Sequence, residues 1–109
     1  IGNNIVTSVD AGELLTPLSF NLSKNMPNPF NPSTRIQYAL PSAEHVELKI
    51  FDNLGRLVAT LVNEQKQPGQ YAIMWNGQDN RGNLVASGVY HYVLRAGRFK
   101  QSRRMTLLK

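Results

Sequence analysis

Cysteine is absent from the 109-residue chain, which excludes disulfides, thiolate metal sites and cysteine nucleophiles together. No apolar run approaches the ~18 residues of a membrane-spanning helix. No eleven-residue stretch keeps an i, i+3, i+4, i+7 apolar stripe, so helix is expected to be a minor element. No leader is legible at Ile1, as expected of a fragment or a mature chain. Aromatics are few, at 8% with one tryptophan, yet apolar residues make up 41% and charged residues only 17%. That balance is too apolar for a wholly disordered chain, and the length suits one domain with one core. Acidic residues are missing from one region. Residues 80–109 hold seven Lys and Arg and no Asp or Glu, whereas residues 1–79 hold five basic and seven acidic groups. The net charge of +5 therefore belongs to the C-terminal segment, either as a patch that steers an anionic partner or as the wet face of a strand.

What is present is a series of short β patterns. Ile36, Tyr38 and Leu40 alternate with Gln37 and Ala39, and Pro41 stops the run. Val46, Leu48 and Ile50 alternate with Glu47 and Lys49, giving period two with one wet face. Leu57 to Val62 (LVATLV) is nearly continuous. Tyr71, Ile73 and Trp75 share one face; Tyr90, Tyr92 and Leu94 share another; the last run, Phe99 to Leu108, sets its charges among Met105, Leu107 and Leu108. The turns are marked by Asp52-Asn53-Leu54-Gly55-Arg56, Pro68-Gly69, Asp79-Asn80-Arg81-Gly82-Asn83 and Ala96-Gly97-Arg98, with Gly55 in the left-handed position of a short hairpin. About seven strands at this spacing predict an all-β, antiparallel sandwich, with a barrel as the alternative. Trp75 is expected at the centre of the core. Residues 1–18 show no sustained period and read as a linker or tail, leaving 19–109 as the domain.

Catalytic or ligand-binding constellations are not assembled by this pattern. His45 and His91 lie on strands without a serine elbow nearby. Glu44, His45 and Glu47 do not converge on a metal, because 44 and 47 face opposite sides of a strand. The 79–83 loop lacks the carboxylate series of a calcium site. No phosphate loop is present, and Tyr90 and Tyr92 are expected in the core rather than as stacking platforms for nucleic acid. A sugar platform would need an exposed ring beyond Trp75. No cofactor and no metal ligand set is expected, and the chain is read as non-enzymatic.

Four stretches, in this order, resemble one family: Met26-Pro27-Asn28-Pro29-Phe30-Asn31-Pro32-Ser33-Thr34, Leu48-Lys49-Ile50-Phe51-Asp52-Asn53-Leu54-Gly55-Arg56, Ser87-Gly88-Val89-Tyr90-His91-Tyr92 and Arg103-Arg104-Met105-Thr106-Leu107-Leu108-Lys109. Together they resemble the type A C-terminal sorting domain of type IX secretion cargo, itself similar to the Ig-like domain of flagellar hook-capping proteins. One departure is Trp75-Asn76-Gly77, where the family more often has Trp-Asp-Gly. Pro27, Pro29 and Pro32 restrict the backbone to an extended entry into the strand near Arg35. Asn28 and Asn31 are expected to tie the local turns, and the whole is expected to form a stiff corner crossing between sheets. Pro27, Asn28, Pro29, Gly55 and Trp75 are read as fold-defining.

The resemblance implies an Ig-like sandwich and a sorting signal toward the C-terminus. Carried over, it implies that Gly88, Tyr90, Arg103, Arg104, Met105, Leu107, Leu108 and Lys109 are recognised by an outer-membrane translocon, with the final basic strand presented as an accessible edge. It also implies a covalently linked N-terminal cargo domain and a sortase-like peptidase acting in the segment before Ser19. The route implied runs through the periplasm to the cell surface or medium of a Gram-negative-type bacterium, with neither nucleic acid nor a membrane span involved. The alternatives are an assembly module of the hook-capping kind, or a spacer or carbohydrate-binding accessory domain of an extracellular enzyme.

Overall fold

A computed structural model describes residues 16–109; of the tail expected over residues 1–18, the part up to Leu15 lies outside the described residues. Seven strands follow in order: β1 (Asn21–Leu22), β2 (Thr34–Leu40), β3 (Glu44–Asp52), β4 (Leu57–Lys66), β5 (Gly69–Trp75), β6 (Gly88–Ala96) and β7 (Phe99–Leu107). They form two antiparallel sheets, three-stranded in the order β1-β2-β5 and four-stranded in the order β4-β3-β6-β7. The domain is therefore an all-β sandwich with an Ig-like arrangement, not a barrel. Alternation sets the core, because each strand turns every second side chain inward. Ile36, Tyr38 and Leu40 of β2 meet Val46, Leu48 and Ile50 of β3 and Tyr90, Tyr92 and Leu94 of β6, all buried.

Two features differ from the pattern in the sequence. The LVATLV run is continuous because β4 is bulged. Leu48 faces Val62 and Lys49 faces Thr60, which leaves Leu61 unpaired; Ile50 faces Ala59 and Phe51 faces Leu57, which leaves Val58 unpaired. Each bulge resets the inward parity, so Val58 and Leu61 pack against the core beside the buried Ala59 and Val62. β4 then runs on through Asn63-Glu64-Gln65-Lys66, polar but paired to the start of β3. The proline corner, by contrast, does not cross between sheets. β1 and β2 are neighbours in the same sheet, and the segment between them leaves that sheet, touches β7 of the other and returns.

The two Asp-x-x-Gly turns are built alike. Asp52 Oδ1 accepts the N–H groups of Leu54 and Arg56 at 2.9 Å each, and Asp79 Oδ1 accepts those of Arg81 (2.9 Å) and Asn83 (3.0 Å). Gly55 supplies the left-handed residue (φ 84°) that closes the β3–β4 hairpin. The 79–83 loop lies on the edge of β4, where Asn80 donates its N–H to the Val58 carbonyl and accepts from the Thr60 N–H through Oδ1. That edge is thereby covered against further strand pairing at Val58 and Thr60.

Candidate functional site

All four motifs meet at one end of the sandwich. The inner layer of this pole is aromatic: Trp75, 2% exposed, has its ring centroid 5.7 Å from Phe30 and 5.4 Å, edge-on, from Tyr90. Both polar tips are satisfied, since Trp75 Nε1–H donates to the Gln78 carbonyl and the Tyr90 hydroxyl to the Ala86 carbonyl. Gly77 turns the chain away from Trp75 in the left-handed region (φ 76°), which is what asks for glycine there; a Cβ would only reach ordinary contact with the Pro32 carbonyl and the Leu107 side chain.

The end of the chain is clamped over this layer. The Thr106 N–H donates to Asn28 Oδ1 at 3.0 Å, and the Thr106 carbonyl accepts from the Phe30 N–H at 3.0 Å. Leu108 N–H returns a bond to the Phe30 carbonyl, so Phe30 pairs with Leu107 as a short parallel bridge. Lys109 N–H donates to Ser87 Oγ on the other side. Asn28 thus ties the chain across 78 residues rather than within its own turn, which corrects the local role expected of it. The local tie is made by Asn25, buried at 2%, and Thr34: Asn25 Nδ2 donates to Thr34 Oγ1, and both side chains donate to the Pro27 carbonyl.

Farther along β7 the same N-terminal segment continues as a flank. Arg103 Nε donates to the Leu22 carbonyl and Phe20 stacks on Phe99 at 5.0 Å. Between Thr106 and Leu108 the edge of β7 is therefore not a free template, because its outward backbone groups are already bonded. What β7 leaves open is its outer face, with Lys100, Ser102 and Arg104 exposed.

The residues implied by the resemblance divide accordingly. Tyr90, Met105 and Leu107 are core residues, at 7%, 1% and 1% exposure. Arg103 lies at inward parity, tied to β1. Gly88 opens β6 opposite Leu107 with free space where a Cβ would stand. Arg104, Leu108 and Lys109 are exposed, and Leu108 lies beyond the strand rather than among its apolar residues. Of the fold-defining set, Pro27, Asn28 and Pro29 shape the clamp, Gly55 the hairpin at the same pole and Trp75 its floor. Trp75 offers no ring to a sugar, and Tyr92, fully buried, donates its hydroxyl to the Ser23 carbonyl.

Sequence reasoning did not single out the companions of Arg104 on the outer face of the four-stranded sheet. Strand register sets Arg104 beside His91, Lys100 beside Arg95 and Arg95 beside Glu47. The parity signal was available: once Met105 and Leu107 face inward, Arg103 must follow them and Arg104 must not. The histidines are peripheral, His45 Nε2 lying 2.7 Å from Asn63 Oδ1 and His91 Nε2 3.3 Å from Asn53 Oδ1.

No curated protein matches the chain in sequence. Among solved structures, it is similar to part of PorZ of Porphyromonas gingivalis, an essential bacterial surface component of the type-IX secretion system, at 25% identity and a TM-score of 0.55 over 83% of this chain and 11% of PorZ. It is similar in fold to part of latent, dimeric PorU from the same organism, at 18% identity and a TM-score of 0.61 over 84% of this chain and 10% of that one. FlgD of Xanthomonas campestris, a hook-capping protein, shares the fold at 24% identity and a TM-score of 0.56 over 91% of this chain and 73% of that protein. The chain thus spans about a tenth of the length of PorZ and of PorU. The sequence pattern of the FlgD Ig-like domain matches residues 30–98, from Phe30 of the clamp to the β6–β7 turn. The chain belongs to the FlgD Ig-like domain family.

Proposed function

We propose that this domain is a non-catalytic sorting module that directs an attached N-terminal cargo through the type IX outer-membrane translocon to the cell surface or medium. The observation that carries the reading is a C-terminal strand locked into a folded pole, in a chain 25% identical over 83% of its length to part of a surface component of that system. On this reading the module crosses the inner membrane with its cargo, folds in the periplasm and is recognised as a folded object. Tyr90, Met105 and Leu107 then act by holding the pole together, and contact with the translocon falls to Gly88, Arg104, Leu108 and Lys109. A sortase-like peptidase acts in the segment before Ser19.

The test is a periplasmic reporter fused ahead of residues 1–109 in a host with this pathway. The expected result is reporter at the surface or in the medium. A reporter retained in the periplasm beside a folded, protease-resistant domain overturns the reading. A second reading, an assembly module of the hook-capping kind, is favoured by the family itself and by the coverage of most of the Xanthomonas protein. It predicts self-association or binding to a filament subunit without processing, which sedimentation of the purified chain measures.

A further inference from the structure

The outer face of the four-stranded sheet carries more positive charge than the described residues pair. Lys49 on β3, Arg95 on β6, and Lys100 and Arg104 on β7 all project from it, and Glu47 is its one carboxylate between them. Among the described residues the ion pairs are Lys49–Glu47, Arg56–Asp52 and Lys66–Glu64, so Arg95, Lys100 and Arg104 have no carboxylate within 4.0 Å. Arg95 and Lys100 stand directly opposite each other across the strand pair. Like charges so placed oppose folding, and at exposed positions no packing demand requires them. Between Lys49 and Arg95 lies a groove of about 260 Å³ lined by Glu47, Lys49, Phe51, Val93 and Arg95, which gives the basic face an apolar floor. The outer face of the other sheet differs, with Gln37, Ala39, Gln70 and Ala72 beside a single Arg35.

The spacing of these cations is that of a β-sheet. Lys100 and Arg104 share a face two steps apart, roughly 13.6 Å at about 6.8 Å per step; the row between them holds Ser102, Val93 and Lys49, and neighbouring strands are about 4.8 Å apart. An extended polypeptide with a carboxylate on every second residue repeats on the same length. Its carboxylates would meet this grid with their methylenes over Phe51 and Val93, while the residues between them turn away from the sheet. Phosphate head groups in a fluid membrane have no such fixed repeat. We propose that the outer face of the four-stranded sheet, presenting Lys49, Arg95, Lys100 and Arg104 around the Phe51–Val93 groove, docks an extended acidic segment of a protein partner. This deepens the sorting reading by giving the receptor's chemistry, and for that assignment it rests on that reading; the binding itself is measured without export.

The experiment titrates the purified 109-residue chain with a ten-residue peptide carrying aspartate at alternate positions and, separately, with a peptide of the same composition whose aspartates are clustered. Backbone amide shifts are followed. The expected result is saturable binding that moves the amides of Lys49, Val93, Arg95, Lys100 and Arg104, weakens with salt, and is at least about tenfold tighter for the alternating peptide, the ratio that about 1.4 kcal/mol represents. The double variant Arg95→Glu, Arg104→Glu should lose this binding with its melting temperature retained, whereas Arg35→Glu on the opposite face should not. Equal affinity for the two peptides, shifts centred on Arg35 and Gln37, or binding only to anionic vesicles or to a sulfated polysaccharide would each overturn the proposal. The double variant is then fused to the reporter. Export retained with peptide binding lost overturns the assignment of this face to sorting. Failure of the unaltered chain to be exported, with peptide binding intact, counts against the sorting reading alone and supports the face as a docking surface.

Discussion

The pole of the sandwich and the outer face of its larger sheet obey different rules. At the pole nearly every recognisable residue is occupied: Trp75 and Tyr90 are buried with their polar atoms bonded, Asn28 and Phe30 hold the end of β7, and Gly77 supplies a left-handed turn. On the outer face Arg95, Lys100 and Arg104 are exposed and, among the described residues, form no ion pair. The contrast teaches that the buried positions of the motifs build the domain, while the cations of the outer face lie partly within motifs, as Lys49 and Arg104 do, and partly outside them, as Arg95 and Lys100 do.

The largest expected effect that sharpens this contrast comes from the floor of the pole. Trp75→Ala removes the ring that joins Phe30 to Tyr90 and should cost roughly 3–5 kcal/mol in urea or thermal unfolding, a large part of the stability of a small domain. Next comes the clamp. Asn28→Ala leaves the Thr106 N–H without its acceptor and should cost about 1 kcal/mol. Its signature is faster amide exchange at Thr106 and Leu108 with Val93 unchanged; uniform acceleration would mean that the clamp is not a separate unit. Adjacent arginines give a smaller and more pointed comparison. Arg103→Ala breaks the bond to Leu22 and should lower stability by about 0.5–1.5 kcal/mol, while Arg104→Ala should stay within about 0.5 kcal/mol of the unaltered chain. Equal effects would erase the distinction between inward and outward parity.

The smallest effect is a pH dependence at the hairpin. The Arg56 backbone N–H, helped by its guanidinium and the Leu54 N–H, holds the Asp52 carboxyl below its ordinary value of 3.8. A carboxyl depressed in the folded state contributes stability that is complete above its unfolded pKa and is lost as pH falls through the folded one. Stability should therefore decline below about pH 4, and Asp52→Asn should remove part of that slope and leave the neutral-pH side of the curve parallel to that of the unaltered chain.

Much of the fold was legible because alternation is a local signal. The inward sets of β2, β3, β5 and β6 could be read directly, as could both Asp-x-x-Gly turns. The bulges of β4 were not, because an extra residue turns a period of two into an unbroken apolar run. Two-residue β1 was too short to give a period. Asn28 misled for a different reason: asparagine beside proline usually bonds locally, and only the return of the chain to Thr106 reveals its partner. At the candidate site, grouping Arg103 with Arg104 followed sequence adjacency, whereas a strand sends adjacent side chains to opposite faces. Lys49 and Arg95 were hidden because register between distant strands, not spacing along one, brings them to the same surface.

The central claim is that the signal is a folded module and not a linear tail. A reporter carrying the whole 109-residue chain should be compared, in a host with the type IX pathway, with one carrying only residues 99–109. Export of the first and periplasmic retention of the second is the predicted result. Equal export of the eleven-residue tail, which has neither Asn28 nor Phe30 to hold it, would contradict the account.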